Sequence, residues 1–357
     1  MQAGVNFFSS VRPEDKGAAQ YYAETLALSE EAEQLGYSHV RLVEHYFRAY
    51  GGYTPSPIVL LAAIAAHTQK IKLVTGAVVP AFSHPLKLAG ELTMLDNLAP
   101  GRLEVGFARA FLPEEFDAFE IPLDESRARF EEAIMAIKRL WTEKEVKFEG
   151  RFHNFGPLNL LPPPYQNPHP PIWIAAVNTP ASFVWAGQQG YNLMLVAHLN
   201  DYALMAENLQ AYRQAYAQAG HGPNGGKVQM TFHAYLAEDG ATARREAEVY
   251  LNEYVEIFKE SAVAWEGRSS EQYQGCVGLM EHIEAISYER VLNETRAFIG
   301  NPAEVIAQVR QVEEWFGPVE PSLQISFGNM PLAASRRTIQ LFATQVAPAL
   351  QPALTMS

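Results

Sequence analysis

Stretches of strand length and stretches of helical period follow one another along nearly the whole chain, and this alternation constrains the fold more than any other feature. Gly4 to Phe8 reads as a first strand, and Ala18 to Leu35 as a helix with apolar positions at helical spacing, stopped by Gly36. Ser38 to Val43 is a second strand, Pro57 to His67 a helix, Ile71 to Thr75 a third strand and Leu86 to Leu98 a helix. After the Gly101-Arg102 turn, Leu103 to Phe107 is a fourth strand. The amphipathic run Asp124 to Trp141 follows, with Asp124 placed to cap its N-terminus. Val146 to Phe155 reads as a small exposed hairpin. Ile172 to Ala176, Asn192 to Val196, Val228 to Ala237 and Leu323 to Phe327 complete eight strands with helices between them. Such a series predicts an α/β fold, a (β/α)8 TIM barrel, with an open doubly wound sheet as the competing arrangement.

No internal repeat or low-complexity linker divides the 357 residues, so 1–357 reads as a single domain. One segment breaks the rhythm. Residues 260–300, between the seventh and eighth strands, carry no clean period. An insertion of that length in a barrel reads as a lid over a binding site, or else as a surface excursion or oligomer contact. Composition narrows the class further. The 27 basic and 40 acidic residues give a formal charge of -13, which argues against nucleic acid as a partner. One cysteine, Cys276, excludes internal disulfides and suits a reducing cytosol. No signal segment opens the chain and no apolar run is long enough to span a membrane, so a cytoplasmic protein is expected.

In alternating β/α folds ligands sit beyond the carboxyl ends of the strands. Arg109 lies just past the fourth strand, where a guanidinium can clamp a phosphate or serve in a structural ion pair. Asn178-Thr179-Pro180-Ala181-Ser182 ends the fifth strand and starts a helix, with Thr179 at the N-cap, Pro180 at N1 and Ser182 at N3. By itself that is a well-capped helix. Beside Arg109, it becomes an anion cradle built from two adjacent strand ends. His45, flanked by Glu44 and Tyr46, follows the second strand and is the candidate acid or base. His84 is a weaker version of the same. Glu44, His45 and His84 lack the helical spacing of a zinc site, so no metal is expected. A G-x-S-x-G elbow, a Walker loop and a G-x-G-x-x-G turn after the first strand are absent.

Taken together, LVEHYF (Leu42 to Phe47), the run from Thr75 to Ala110, SRARFEEAIMAIKRLW (Ser126 to Trp141) and the strand and helix start from Pro171 to Gly190 resemble the bacterial luciferase-like, flavin-dependent monooxygenases over almost the whole chain. The resemblance implies FMN at the C-terminal mouth of the barrel, its phosphate held by Arg109, Asn178, Thr179 and Ser182. It implies a non-prolyl cis peptide between Gly76 and Ala77 under the ring, and His45 as the catalytic histidine. Two positions depart from the family pattern: Tyr46 stands for the second histidine of Glu-His-His, and Ala108 for the reactive cysteine of light-emitting members. Light emission is therefore not expected, and the Ser126–Trp141 helix resembles that of members serving secondary-metabolite pathways.

The implied activity is that of a two-component monooxygenase. FMNH2 from a separate NAD(P)H:flavin reductase reacts with O2 through a flavin C4a-peroxide. One oxygen atom enters a small-molecule or carrier-bound substrate by hydroxylation or Baeyer–Villiger insertion. Phe111 is expected beside the cofactor, and Phe7, Glu44 and Phe47 around the substrate, though each phenylalanine also suits ordinary core. A homodimer is expected from the resemblance. The rival readings are a deazaflavin-dependent oxidoreductase of the same superfamily and a non-catalytic flavin-binding partner subunit.

Overall fold

The computed structural model describes residues 2–350, apart from 199–200, 224 and 277–278. Its strands in chain order are β1 (Gly4–Phe7), β2 (His39–Leu42), β3 (Lys72–Val78), β4 (Leu103–Phe107), β5 (Val146–Glu149), β6 (Asn154–Leu158), β7 (Ile172–Ala175), β8 (Asn192–Val196), β9 (Val228–Leu236), β10 (Ala297–Gly300) and β11 (Glu320–Gln324). Eight of them, in the order β9-β11-β1-β2-β3-β4-β7-β8, pair in parallel, and the β8–β9 pairing closes the ring. The protein is a (β/α)8 barrel with helices outside. No helix of the described residues is long and apolar enough to cross a membrane.

Strand alternation decides which side chains meet the helices and which enter the barrel. Val5, Phe7, Val40, Leu42, Leu73, Leu103, Val105 and Phe107 point outward into one core with the helical residues Leu61, Ile64, Leu92 and Ile137, all essentially without exposure. Each such burial contributes about 1.5–3 kcal/mol. The intervening positions turn inward, and on one side of the barrel they are polar. Asn6, Arg41, Thr231, Gln324 and His233 hydrogen-bond one another across it. On the other side Val74, Trp173 and Met194 pack together, with the Trp173 indole donating to Glu104 at 2.9 Å.

Four local expectations are corrected. The eighth barrel strand is Glu320–Gln324, so only Leu323 and Gln324 of the expected span are strand. Asp124 does not cap the long helix, which spans Ser126–Thr142; its carboxylate accepts the Ser270 hydroxyl at 2.6 Å. The hairpin extends to Leu158 and is only half exposed, because Val146 and Phe148 turn inward while Lys147 and Glu149 face water. Within residues 260–300, of which 277–278 lie outside the described set, the chain forms short helices at Leu279–Glu284 and Tyr288–Asn293 and the strand β10. The nine-residue β9 carries β8 along its first half and β10 along its second. A four-residue strand and helices of six residues are too short to show a period.

Candidate active site

A cavity of about 640 Å3 opens beyond the carboxyl ends of the strands. This is within the size range of small-molecule sites, roughly 300–1,000 Å3. Its lining includes Glu44, His45, Gly76, Ala77, Ala108, Arg109, Phe111, Asn178, Thr179 and Ser182, which the fold gathers from β2, β3, β4 and β7. Residues of the 260–300 segment, among them Tyr273, Leu279, Ile283, Ile286 and Val291, form another wall.

Arg109 leaves β4 with its guanidinium largely out of water and no carboxylate in contact. Nη2 reaches the Gln272 carbonyl at a long 3.4 Å, Nη1 has no partner, and the Tyr273 ring lies 5.0 Å from the guanidinium carbon. Burial, and then the positive charge of Arg127, lower its pKa. Arg127 in turn donates to the Ser182 hydroxyl at 3.1 Å. Thr179 takes the N-cap position of the helix Pro180–Gln188 in extended conformation, yet its side chain makes no capping bond. Arg127 is paired with Glu131 at 3.3 Å, but the Arg109 guanidinium meets a helix N-terminus and an unspent hydroxyl with no carboxylate in contact. Such an arrangement is suited to an anion such as a phosphate.

The Gly76–Ala77 peptide is cis. A side chain at Gly76 would collide with the Arg41 stem, so only glycine lets the β3 backbone lie against it. Ala108 keeps its N–H on the Val78 carbonyl at 2.9 Å and presents only a methyl group to the cavity.

His45 is positioned by Glu115, from the helix Pro113–Ala118. One Glu115 oxygen lies 3.0 Å from His45 Nδ1 and accepts the Tyr46 backbone N–H at 2.9 Å; the other has no partner. A carboxylate only accepts, so Nδ1 carries the proton and Nε2 is the ring nitrogen left for a ligand. Gly51, at φ 82°, approaches so closely that a Cβ there would sit 2.7 Å from the His45 side chain. Phe111 stands edge-on to the imidazole at 6.0 Å. Glu44 accepts the Tyr46 hydroxyl at 2.6 Å and the Val79 N–H at 3.0 Å, and burial raises its pKa to about 7. Tyr46, where the family pattern has histidine, thus steadies Glu44.

Two expected pocket residues are elsewhere. Phe7 alternates with the inward-facing Asn6, so it joins the helix-facing core. Phe47, at φ 66°, turns outward, 60% exposed, against Tyr46 and Phe119. Phe8, one residue beyond β1, lines the cavity in place of Phe7. Sequence reasoning also missed Glu115, Arg41, His198 and Tyr254. His198 lies in the wall with its pKa lowered to about 3 by burial, then by Arg296, and its Nε2 is 2.8 Å from the Tyr254 hydroxyl. Cys276 borders the cavity with its thiol raised to about 11 by burial, which keeps it protonated.

A model of the luciferase-like monooxygenase family matches residues 1–317. The chain belongs to that family of flavin-dependent monooxygenases. It is 30% identical over 336 residues to the oxygenase component of the flavin-dependent trigonelline monooxygenase of Acinetobacter baylyi, covering 92% of this chain and 90% of the relative. The crystal structure of the monooxygenase RslO1 from Streptomyces bottropensis superimposes with a TM-score of 0.89 at 43% identity, covering 98% of this chain and 100% of that one. The oxygenating constituent of 3,6-diketocamphane monooxygenase from Pseudomonas putida, a type II Baeyer–Villiger enzyme solved with FMN, superimposes at 0.82, covering 98% and 99%. At 19% identity that likeness concerns the fold alone.

Proposed function

We propose that the protein is the oxygenase of a two-component system, taking reduced FMN from a separate NAD(P)H:flavin reductase and placing one atom of O2 in an organic substrate. The observation that carries this reading is Arg109, a largely buried guanidinium with an orphaned Nη1 beside the open Thr179–Ser182 helix start. Arg109, Thr179, Ser182 and Asn178 would hold the phosphate, and Gly76, Ala77, Ala108 and Phe111 would border the ring. Bound there, the flavin supplies the activation of O2 that no side chain provides. His45 offers or holds a proton at Nε2, with Glu115 keeping the ring oriented. The apolar wall of Leu279, Ile283, Ile286 and Val291 excludes water and suits an apolar or aromatic substrate.

The segment 260–300 then acts as a lid on one barrel domain. A homodimer in the cytosol, serving a natural-product pathway, completes the reading and rests on the family resemblance. The test is anaerobic titration with FMNH2, followed by rapid mixing with aerated buffer in the presence of candidate substrates. Tight binding, oxygen transfer and at least about tenfold weaker binding by Arg109→Ala are expected. Binding of a deazaflavin in place of FMN would move the protein to the deazaflavin-dependent oxidoreductases. Binding of FMNH2 without oxygen transfer would make it a flavin carrier.

A further inference from the structure

The cavity contains a second buried cation that the phosphate site does not use. Arg41, on β2, is 3% exposed and points into the barrel beneath Gly76. Its Nε donates to Asn6 Oδ1 at 3.0 Å and its Nη2 to the Thr231 hydroxyl, while Nη1 has no partner. Asn6 donates to Gln324 at 3.3 Å, so β2, β1, β11 and β9, four neighbouring strands, contribute one polar arc, and all four of these side chains line the cavity.

No carboxylate touches this charge: Glu320, at the start of β11, acts on it only through space, its oxygens held by Ser38, His39 and Gln229. Glu44 and Asp201 are the acidic residues of the lining, and both are engaged elsewhere. Glu44 serves Tyr46 and Val79; Asp201 caps the helix Tyr202–Gln218 through the N–H groups of Ala203 and Leu204. Burial lowers the Arg41 pKa to about 10, which still leaves it charged at neutral pH. A buried ion with no counter-ion in contact is costly, whereas an unbranched apolar side chain would fill the same space without that penalty. What removes the penalty is an anion arriving from the cavity. The planar fork and the amides beside it match a flat, delocalised oxyanion better than a point charge.

We infer that Arg41, Asn6, Thr231 and Gln324 form an oxyanion subsite on the cavity floor, distinct from the Arg109 phosphate site. Its ligand is a planar delocalised oxyanion. That anion comes either from the substrate, as a carboxylate, enolate or phenolate, or from the N1–C2=O edge of a reduced, anionic flavin ring. The flavin source rests on the function proposed above; the substrate source does not.

The test compares the full-length wild type with Arg41→Met, measuring melting temperature without ligand and affinity for benzoate, oxidised FMN and anaerobic FMNH2. Arg41→Met is expected to melt close to the wild type, since removing a buried charge offsets the loss of the hydrogen bonds to Asn6 and Thr231. A loss of about tenfold in benzoate affinity with both FMN affinities unchanged assigns the subsite to the substrate. A similar loss for FMNH2, with oxidised FMN unchanged, assigns it to the reduced ring. If Arg41→Met melts well below the wild type and binds every probe as the wild type does, Arg41 is structural and the inference fails. Should that variant not fold, Arg41→Lys, which keeps the cation and loses the fork, is compared in the same way. Failure of the wild type to bind either form of FMN overturns the flavin reading alone, and benzoate binding then decides this one.

Discussion

Glu44 shows how one residue couples local chemistry to the pH dependence of the whole protein. Burial raises its carboxyl from the ordinary 4.5 to about 7, against the stabilising donors Tyr46 and Val79. A group that holds its proton more tightly when folded stabilises the fold fully below its unfolded pKa, and that contribution fades as pH rises through the folded value. The wild type should therefore lose stability relative to Glu44→Gln between about pH 4.5 and 7, by up to about 3 kcal/mol. Denaturant titrations of both proteins at several pH values check this; parallel profiles would remove Glu44 as the titrating group. The same scale explains what the sequence hid. Glu115 lies 70 residues from His45, and no local pattern connects the two. Arg41 sits between the apolar Val40 and Leu42, where it reads as an interruption of a strand until alternation places it in the barrel.

At the scale of elements, the helix Pro302–Phe316 is the best defined by its own sequence. Asn301 Oδ1 accepts the Glu304 N–H at 3.0 Å and Glu304 accepts the Asn301 N–H at 2.8 Å, a complete capping box with Pro302 at the first helical position. Val305, Val309 and Val312 bury its inner face. Asn301→Ala should cost about 1 kcal/mol of global stability, read as a lower denaturation midpoint with unchanged slope. An unchanged midpoint would mean that packing alone sets this helix. Thr179 makes the contrast. It occupies the same N-cap position on its helix without spending its side chain on the cap, as suits a hydroxyl proposed to serve a ligand.

At the scale of the whole molecule, the barrel and the 260–300 segment meet at Arg109. The Tyr273 hydroxyl donates to the carbonyls of Arg109 and Ala110, at 3.2 and 3.0 Å, and its ring packs with Phe116 and Trp265. Arg268 pairs with Asp117 nearby, but that bridge is exposed and contributes little. Tyr273→Phe keeps the ring and removes the tether. The expected result is a melting temperature close to wild type with FMNH2 affinity reduced several-fold. Unchanged affinity would separate the 260–300 segment from the proposed phosphate site.

The order of strands and helices, the closed barrel class and the positions of Arg109, His45 and the Asn178–Ser182 turn were legible in the sequence, because hydrophobic period and strand-end position are local properties. The extra strand β10 was not, since four residues carry no period of their own and pair only because β9 outruns β8. Nor was the exchange of Phe7 for Phe8 in the cavity wall, because a single step along a strand reverses the face a side chain presents. Tertiary structure alone decided which charges meet a partner and which do not. Glu115 finds His45, whereas Arg41 and Arg109 keep unsatisfied nitrogens facing one cavity. Counter-charge depends on distance through space, which residue order does not encode.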